Sequence, residues 1–454
     1  RLGHEQDGQR LGHHLLVTER PDETVPGFAA ASYPADGGLL AELRAHWPPV
    51  AAPVVVGVAD RGYMGVNLAD REPVAALRLG DRHAVALIDA PERSFDVVPL
   101  ARDELVVTTW RPAAAGAGLS AFVAGVPLAS ERAIEADQTN VSVVVGERAI
   151  VKWFRRVGPG PSRAATVIGH LDAVGFRGIP PPLGSITWRS PAGVDLVIAQ
   201  GDAFLQGGRD GWDWAVARLE RHVAHGSGAC PPDCDPWMGA PLGGLVADLH
   251  TALAMPSTVI ATPRVAATAD AVGDWHEGAR ATLAEAIALT ATDDPAAGAL
   301  LAALEPGMRT AIDRLSVDRA VATQPVHGDL HVGQILEWSG GLAVLDFDGN
   351  PALDAAANAL RQPVERDLAQ LLSSLDHVGR VVAERRSGVA HDVIGAWIAR
   401  TRREFLSAVG GLPDPALLAA FEIEQECREL VYAARFLKRW RYAPLATLRA
   451  RFVR

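Results

Sequence analysis

Apolar positions in the first ninety residues fall in short runs rather than at helical spacing. Pro53–Val58 and Ala84–Ile88 are such runs, and the turn-forming clusters Pro34-Ala35-Asp36-Gly37-Gly38 and Asp60-Arg61-Gly62 separate them. The pattern predicts a β-rich segment with one helix near Leu39–His46. In the next hundred residues the strand signal strengthens. Val141–Val145 and Ala149–Phe154 are β-branched and aromatic runs split by Gly146-Glu147-Arg148, which suits a hairpin turn. A helix is expected over Ser162–Val174, ending at Gly175; Pro180-Pro181-Pro182 then breaks the chain, and Asp195–Gln200 reads as a buried strand. Beyond residue 200 the apolar period becomes helical. It predicts helices over Trp212–His225, Gly243–Ala254, Trp275–Leu289, Ala297–Ser316, Val364–Ser387, His391–Val409 and Pro415–Trp440. One non-helical insert interrupts them at 324–351, with two short strands at Gln334–Trp338 and Leu342–Phe347. The expected organisation is a β-rich cap at 1–90, a small lobe on an antiparallel sheet at 91–199, and a mostly helical lobe at 200–454.

Composition narrows the class. Hydrophobic residues make up 48% of the 454 and charged residues 21%, so a large core is expected. A net charge of −11 makes a poor general footprint for a phosphate backbone, and no nucleic-acid partner is expected. No apolar run approaches the ~18–20 residues that cross a bilayer. The first residues, with Arg1, Glu5, Asp7 and Arg10, do not resemble a signal peptide, and three cysteines are too few for a disulfide scaffold. The expectation is a cytoplasmic monomer. Lysine occurs only at Lys152 and Lys438 among 43 basic residues, so Lys152, inside a strand, is a candidate for chemistry that needs a compact ammonium.

The insert carries the densest chemistry. It reads His327-Gly328-Asp329-Leu330-His331-Val332-Gly333-Gln334, followed by Asp346-Phe347-Asp348-Gly349. Two carboxylates flanking a hairpin, with an amide five residues after the first, suit phosphoryl transfer. Asp329 would accept the proton of a substrate hydroxyl, and Gln334 and Asp346 would offer hard oxygens to Mg²⁺. Asp348 either joins them or caps the turn before Gly349. His331 either holds the loop through a side-chain hydrogen bond or meets the substrate. His222, His225, Cys230 and Cys234 form a loose array that leaves zinc, a Cys230–Cys234 disulfide and free thiols as alternatives.

The run from His327 to His331 with Asp346-Phe347-Asp348 resembles the Brenner-type catalytic motif of the aminoglycoside phosphotransferase-like kinases. The resemblance extends, collinearly from about residue 135, to the maltokinase-related actinobacterial sugar kinases, and more closely to their glucosamine kinase branch. It is carried by Asp137–Val144 with Lys152-Trp153-Phe154-Arg155-Arg156, by Gly211-Trp212-Asp213-Trp214, and by the helix from Phe421 to Trp440. It implies an α+β, bilobal eukaryotic-protein-kinase-like fold with an N-terminal β-rich cap. It also implies ATP as co-substrate and Mg²⁺ as cofactor. Lys152, Thr139 and Asn140 would then meet the nucleotide phosphates, and Gln200, Asp202 and Ala203 would line a hinge beside adenine.

There is no glycine-rich GxGxxG loop, and Thr166 stands where relatives place the glutamate that pairs with the lysine. The acceptor would lie against Asp329, His331, Glu422, Gln425, Glu426, Arg428 and Trp440, with Glu426 reading the 2-amino group of glucosamine. Trp440 is either a sugar platform or a core anchor, and Glu424 and Glu429 either join the acceptor surface or form a solvated face. A maltokinase and an aminoglycoside phosphotransferase are the enzyme alternatives. A regulatory pseudokinase is the alternative from another class, and the presence of both Asp329 and Asp346 argues against it.

Overall fold

A computed structural model describes residues 31–45 and 71–453, apart from 34, 80–82, 92–93, 103–109, 113–130, 135–139, 159–161, 226–230, 232–233, 316–319, 351–352, 354, 360, 387–390 and 412. Thr139, Cys230 and the Pro53–Val58 run lie outside the described residues. The chain divides into two compact units, residues 1–162 with 182–204 and residues 163–181 with 205–454. Among the described residues, no helix is long and apolar enough to cross a membrane.

Among the described residues, the first unit is built on two sheets. One has the strand order β1 (Ala31–Tyr33), β10 (Pro182–Arg189), β11 (Asp195–Ala203), β8 (Ala149–Trp153), β7 (Val141–Val145), β6 (Glu131–Ala133). The β7–β8 hairpin turns through Gly146 and Glu147, both at positive φ, a conformation whose twist matches the flanking strands. The other sheet runs β2 (Pro73–Arg78), β3 (His83–Ala90), β4 (Ser94–Arg102), β5 (Trp110–Pro112), with β9 (Arg156–Val157) also paired to β4. Helix α1 (Gly37–Ala45) buries Leu39 and Leu43 in one core with Ala76, Ala86, Ile88 and Leu100. The expected boundary at residue 90 falls where β3 and β4 pair from His83↔Ala101 to Ala90↔Ser94. A sheet continues through that point because both strands carry buried apolar faces.

The second unit is mostly helical. Its elements are α2 (Arg163–Ala173), β12 (Arg209–Asp210), α3 (Gly211–Ala224), α4 (Gly239–Leu253), β13 (Val265–Ala266), α5 (Ala269–Asp293), α6 (Pro295–Ile312), β14 (Ala322–Thr323), β15 (Ile335–Trp338), β16 (Gly341–Val344), α7 (Ala355–Ala359), α8 (Glu365–Arg385), α9 (His391–Val409), α10 (Pro415–Phe436) and α11 (Tyr442–Phe452). Helix α2, expected in the small lobe, belongs to this unit. The helix expected to run to Trp440 ends at Phe436; a 3₁₀ turn, Lys438–Trp440, follows, and then α11, which the sequence pattern did not predict.

Asp210 caps α3 by accepting from Trp212 N at 2.8 Å. Gly211 beside it has no room for a Cβ, which would collide with the carbonyl oxygens of Val332 and Ile335. Gly211→Ala is therefore expected to destabilise the protein by about 1–3 kcal/mol, read from the urea midpoint. An unchanged midpoint would show that the loop after His331 yields freely.

Candidate active site

The loop from Val326 to Gln334 belongs to neither helix nor sheet until its last turn, so its backbone groups need partners elsewhere. Helix α8 supplies them. Asp367 accepts from His327 N at 2.7 Å and from Gly328 N at 2.8 Å. Gln370 accepts from Leu330 N at 3.1 Å and donates to Gly328 O at 3.1 Å. Ser374 accepts from Val332 N at 3.0 Å. Residues 367, 370 and 374 share one face of a helix, and all three are buried. His250 Nε2, 3.0 Å from Asp367, donates to it. Burial alone would raise the Asp367 pKa, but these hydrogen bonds and the nearby histidines hold it below the usual carboxylate value. None of these three residues stands in a motif that marks it from sequence. Their signal was an Asp, a Gln and a Ser on the apolar face of a predicted helix, where polar groups are kept only with partners.

The hairpin β15–β16 sets the second loop. Ile335 pairs with Val344, and Leu345 N donates to Gln334 O at 2.8 Å, so Gln334 and Asp346 emerge as near neighbours across the ladder. His327 ties the two loops together: its Nε2 donates to Leu345 O at 2.8 Å and its Nδ1 accepts from Asp329 N at 3.3 Å. That pairing needs the neutral ring, and burial, which lowers the His327 pKa, keeps it neutral. Asp346 sits at φ 62, a left-handed conformation that Asp tolerates better than most residues and that often marks functional sites. His331 accepts from Gly333 N at 3.1 Å through Nδ1, and its Nε2 lies 4.0 Å from Asp329.

Asp329 gathers the consequences. Burial, then the negative charges of Asp346, Glu429 and Asp367, push its pKa to about 7, with Arg428 opposing them. A carboxylate poised near neutrality is matched to general-base work.

The same neighbours sort out the acidic helix α10. Glu422 is engaged by Arg402 and Arg451. Glu424 is held by Arg366 at 3.2 Å and by Arg428. Glu426, expected to read the sugar amine, is only 1% exposed and accepts from His377 Nε2 at 2.8 Å. Burial raises the Glu426 pKa against that bond, while the Glu426 charge raises that of His377 against burial. Glu422 and Glu426 thus face interior partners, contrary to expectation, because helices α8, α9 and α11 bring a histidine and arginines to that side. Half-buried Glu429 is the α10 carboxylate whose charge reaches Asp329. It accepts from Gln425 Nε2 at 3.1 Å and from Trp440 Nε1 at 2.8 Å. The Trp440 ring meets Trp212 edge-on at 6.0 Å and His377 at 5.2 Å.

In the first unit, Lys152 on β8 sits opposite Gln200 on β11. Gln200 Nε2 donates to Asp202 at 3.1 Å. Burial pushes Asp202 to about 6, against the Gln200 bond and the Lys152 charge, so Asp202 is a carboxylate within electrostatic reach of the lysine. Thr166 stands on α2 in the second unit. Asn140 Oδ1 accepts from Arg155 N at 3.2 Å, within the sheet's own loops. Strand β11 extends through Asp202 and Ala203, paired with Ile150 and Ala149, and the division between units follows Phe204.

A buried helix face that fixes an aspartate-bearing loop, and a hairpin that sets a second aspartate beside it, are an arrangement suited to phosphoryl transfer to a hydroxyl group. The chain is 38% identical over 401 residues to a glucosamine kinase of Streptacidiphilus jiangxiensis, spanning 82% of this chain and 89% of that one. The chain belongs to the glucosamine kinase family. It is also 36% identical over 329 residues to a glucosamine kinase of Mycolicibacterium smegmatis (strain ATCC 700084 / mc(2)155), spanning 70% and 79%. A solved structure of glucosamine kinase in complex with glucosamine, ADP and inorganic phosphate matches it with a TM-score of 0.69 at 34% identity, covering 87% of this chain and 98% of that one. No family model matches the chain.

Proposed function

We propose that this chain transfers the γ-phosphoryl group of ATP to glucosamine, at its 6-hydroxyl, as a cytoplasmic, Mg²⁺-dependent monomer. The observation that carries the reading is Glu429. It is a half-buried carboxylate held by Gln425 and Trp440, and its charge is felt at Asp329. A carboxylate in that position suits an ammonium on the carbon chain that presents the reacting hydroxyl. Asp329 takes the hydroxyl proton, and its pKa of about 7 lets it be ionised beforehand and accept the proton as the phosphoryl group departs. Arg428, also near Asp329, offsets part of the negative charge of the acceptor surface.

The donor set fits Mg²⁺. Gln334, Asp346 and Asp348 offer hard oxygens. Mg²⁺ prefers that arrangement, binding through one or two carboxylates, waters and substrate phosphates. When bound, it neutralises charge on the β- and γ-phosphate oxygens. In the first unit, Lys152 is suited to the nucleotide phosphates.

A coupled ADP-release screen with glucosamine, glucose, maltose, N-acetylglucosamine and kanamycin tests the acceptor, and Glu429→Gln tests the residue. A charge-assisted bond contributes roughly 1.5–3 kcal/mol. The kcat/KM ratio of glucosamine to glucose is therefore expected to fall by about ten- to a hundredfold in Glu429→Gln, and to hold in Glu426→Gln. A ratio unchanged in the Glu429 variant removes it from amine recognition. Turnover of maltose above glucosamine would overturn the substrate.

A further inference from the structure

Arg163 is a half-buried charge that the roles above leave unexplained. It is the first residue of α2, where the helix dipole disfavours a cation, and burial holds its pKa below the usual arginine value against the charges of Asp367, Asp348 and Asp329. The cost is offset by three carbonyls. Nη2 donates to Val326 O, Nη1 to Phe347 O, and Nε to Asn358 O at 3.0 Å. Val326 enters the loop of Asp329, and Phe347 lies between Asp346 and Asp348. Asn358 in turn braces the chain after Gly349: its Oδ1 accepts from Asn350 N at 2.9 Å, and its Nδ2 donates to Asn350 O at 2.9 Å.

The space around the guanidinium is reserved for backbone. Gly328 and Gly349 both sit at φ +85, where glycine is strongly favoured, and a Cβ on either would come 3.3 Å from an Arg163 nitrogen. A guanidinium presents its donors from three separate nitrogens fixed in one plane, whereas an ammonium must direct all of its donors from a single nitrogen.

We propose that Arg163 is a positioning residue that sets the spacing between the loop of Asp329 and the loop of Asp346 and Asp348. The proposal rests on the reading of those carboxylates given above. Arg163 joins the hydroxyl-activating half of the reaction to the metal-holding half through backbone carbonyls alone, so motif spacing carries no trace of it. A misplacement of about 1 Å can cost on the order of a hundredfold in rate.

Two variants test it, with kcat, glucosamine KM, the Mg²⁺ dependence of ADP binding by calorimetry, and thermal unfolding as readouts. In Arg163→Met, kcat is expected to fall by about ten- to a hundredfold while the glucosamine KM stays within about twofold. The Mg²⁺ concentration that half-saturates ADP binding should rise several-fold, because the Phe347 carbonyl is released. Arg163→Lys keeps the charge and decides the matter if the Met variant does not fold; its kcat is expected to stay about tenfold or more below wild type. Asp329→Asn serves as the reference. Wild-type kcat and wild-type Mg²⁺ dependence in Arg163→Lys, beside an inactive Asp329→Asn, overturn the proposal alone. Wild-type turnover in Asp329→Asn overturns the reading beneath it.

Discussion

Asp329→Asn is expected to lower kcat by roughly 10²–10⁴-fold while ADP binds as in wild type, because the variant loses a proton acceptor and keeps its shape. Two pH signatures accompany the loss. In wild type, kcat/KM should rise with pH through about 7, the value to which burial and the charges of Asp346, Glu429 and Asp367 push this carboxyl. That limb should vanish from the residual activity of the variant. Stability should move the opposite way. A carboxyl near 7 in the folded chain and near 3.9 in the unfolded one binds its proton more tightly when folded. Its contribution is therefore fully present below about pH 4 and is lost as pH rises toward and through 7. The Asn variant, carrying no charge there, is expected to be more stable than wild type at pH 8, by on the order of 2–4 kcal/mol, with the gap closing toward pH 4. Denaturant melts at the two pH values check this. Equal stability at pH 8 would show that Asp329 is solvated and unsuited to the base role.

Asp346 yields the second large effect. Asp346→Asn tolerates the left-handed backbone at φ 62 and should fold like wild type, whereas Asp346→Ala adds a backbone cost of about 1 kcal/mol. Both are expected to lose kcat by about a thousandfold or more, because a neutral side chain neither holds the cation tightly nor helps it offset charge on the phosphates. Removing one of the charges that raise Asp329 should also shift the acid limb of any residual activity downward. Retained Mg²⁺ dependence with an unmoved acid limb would exclude Asp346 from the metal and from the neighbourhood of the base.

The legible part of the candidate site was the part made by side chains at fixed spacing. Asp329, Gln334 and Asp346 in the second unit, and Lys152 in the first, each stood in a run whose local structure left few other uses for such a residue. Asp367, Gln370 and Ser374 were illegible for the opposite reason. They serve backbone N–H groups of a loop some forty residues earlier, and nothing in a sequence records which backbone groups lack partners. Glu426 and Glu429 show the limit within one helix. Helical spacing placed both on the broad acidic side of α10, and only His377 from α8, with Trp440 from the turn after α10, separated an interior acid from one near Asp329.

What the sequence determined by itself was local: the hairpin at Gly146-Glu147, most of the helices beyond residue 200, and the two aspartate-bearing loops with their resemblance to sugar kinases. These follow from turn chemistry, apolar period and motif spacing, which act over a few residues. The tertiary structure alone decided the continuation of the β2–β5 sheet past residue 90, the membership of α2 in the helical unit, the attachment of both aspartate-bearing loops to Arg163, and that of the Asp329 loop to α8. Each depends on which buried polar groups and apolar faces meet across tens to hundreds of residues, and that pairing is settled when the chain packs.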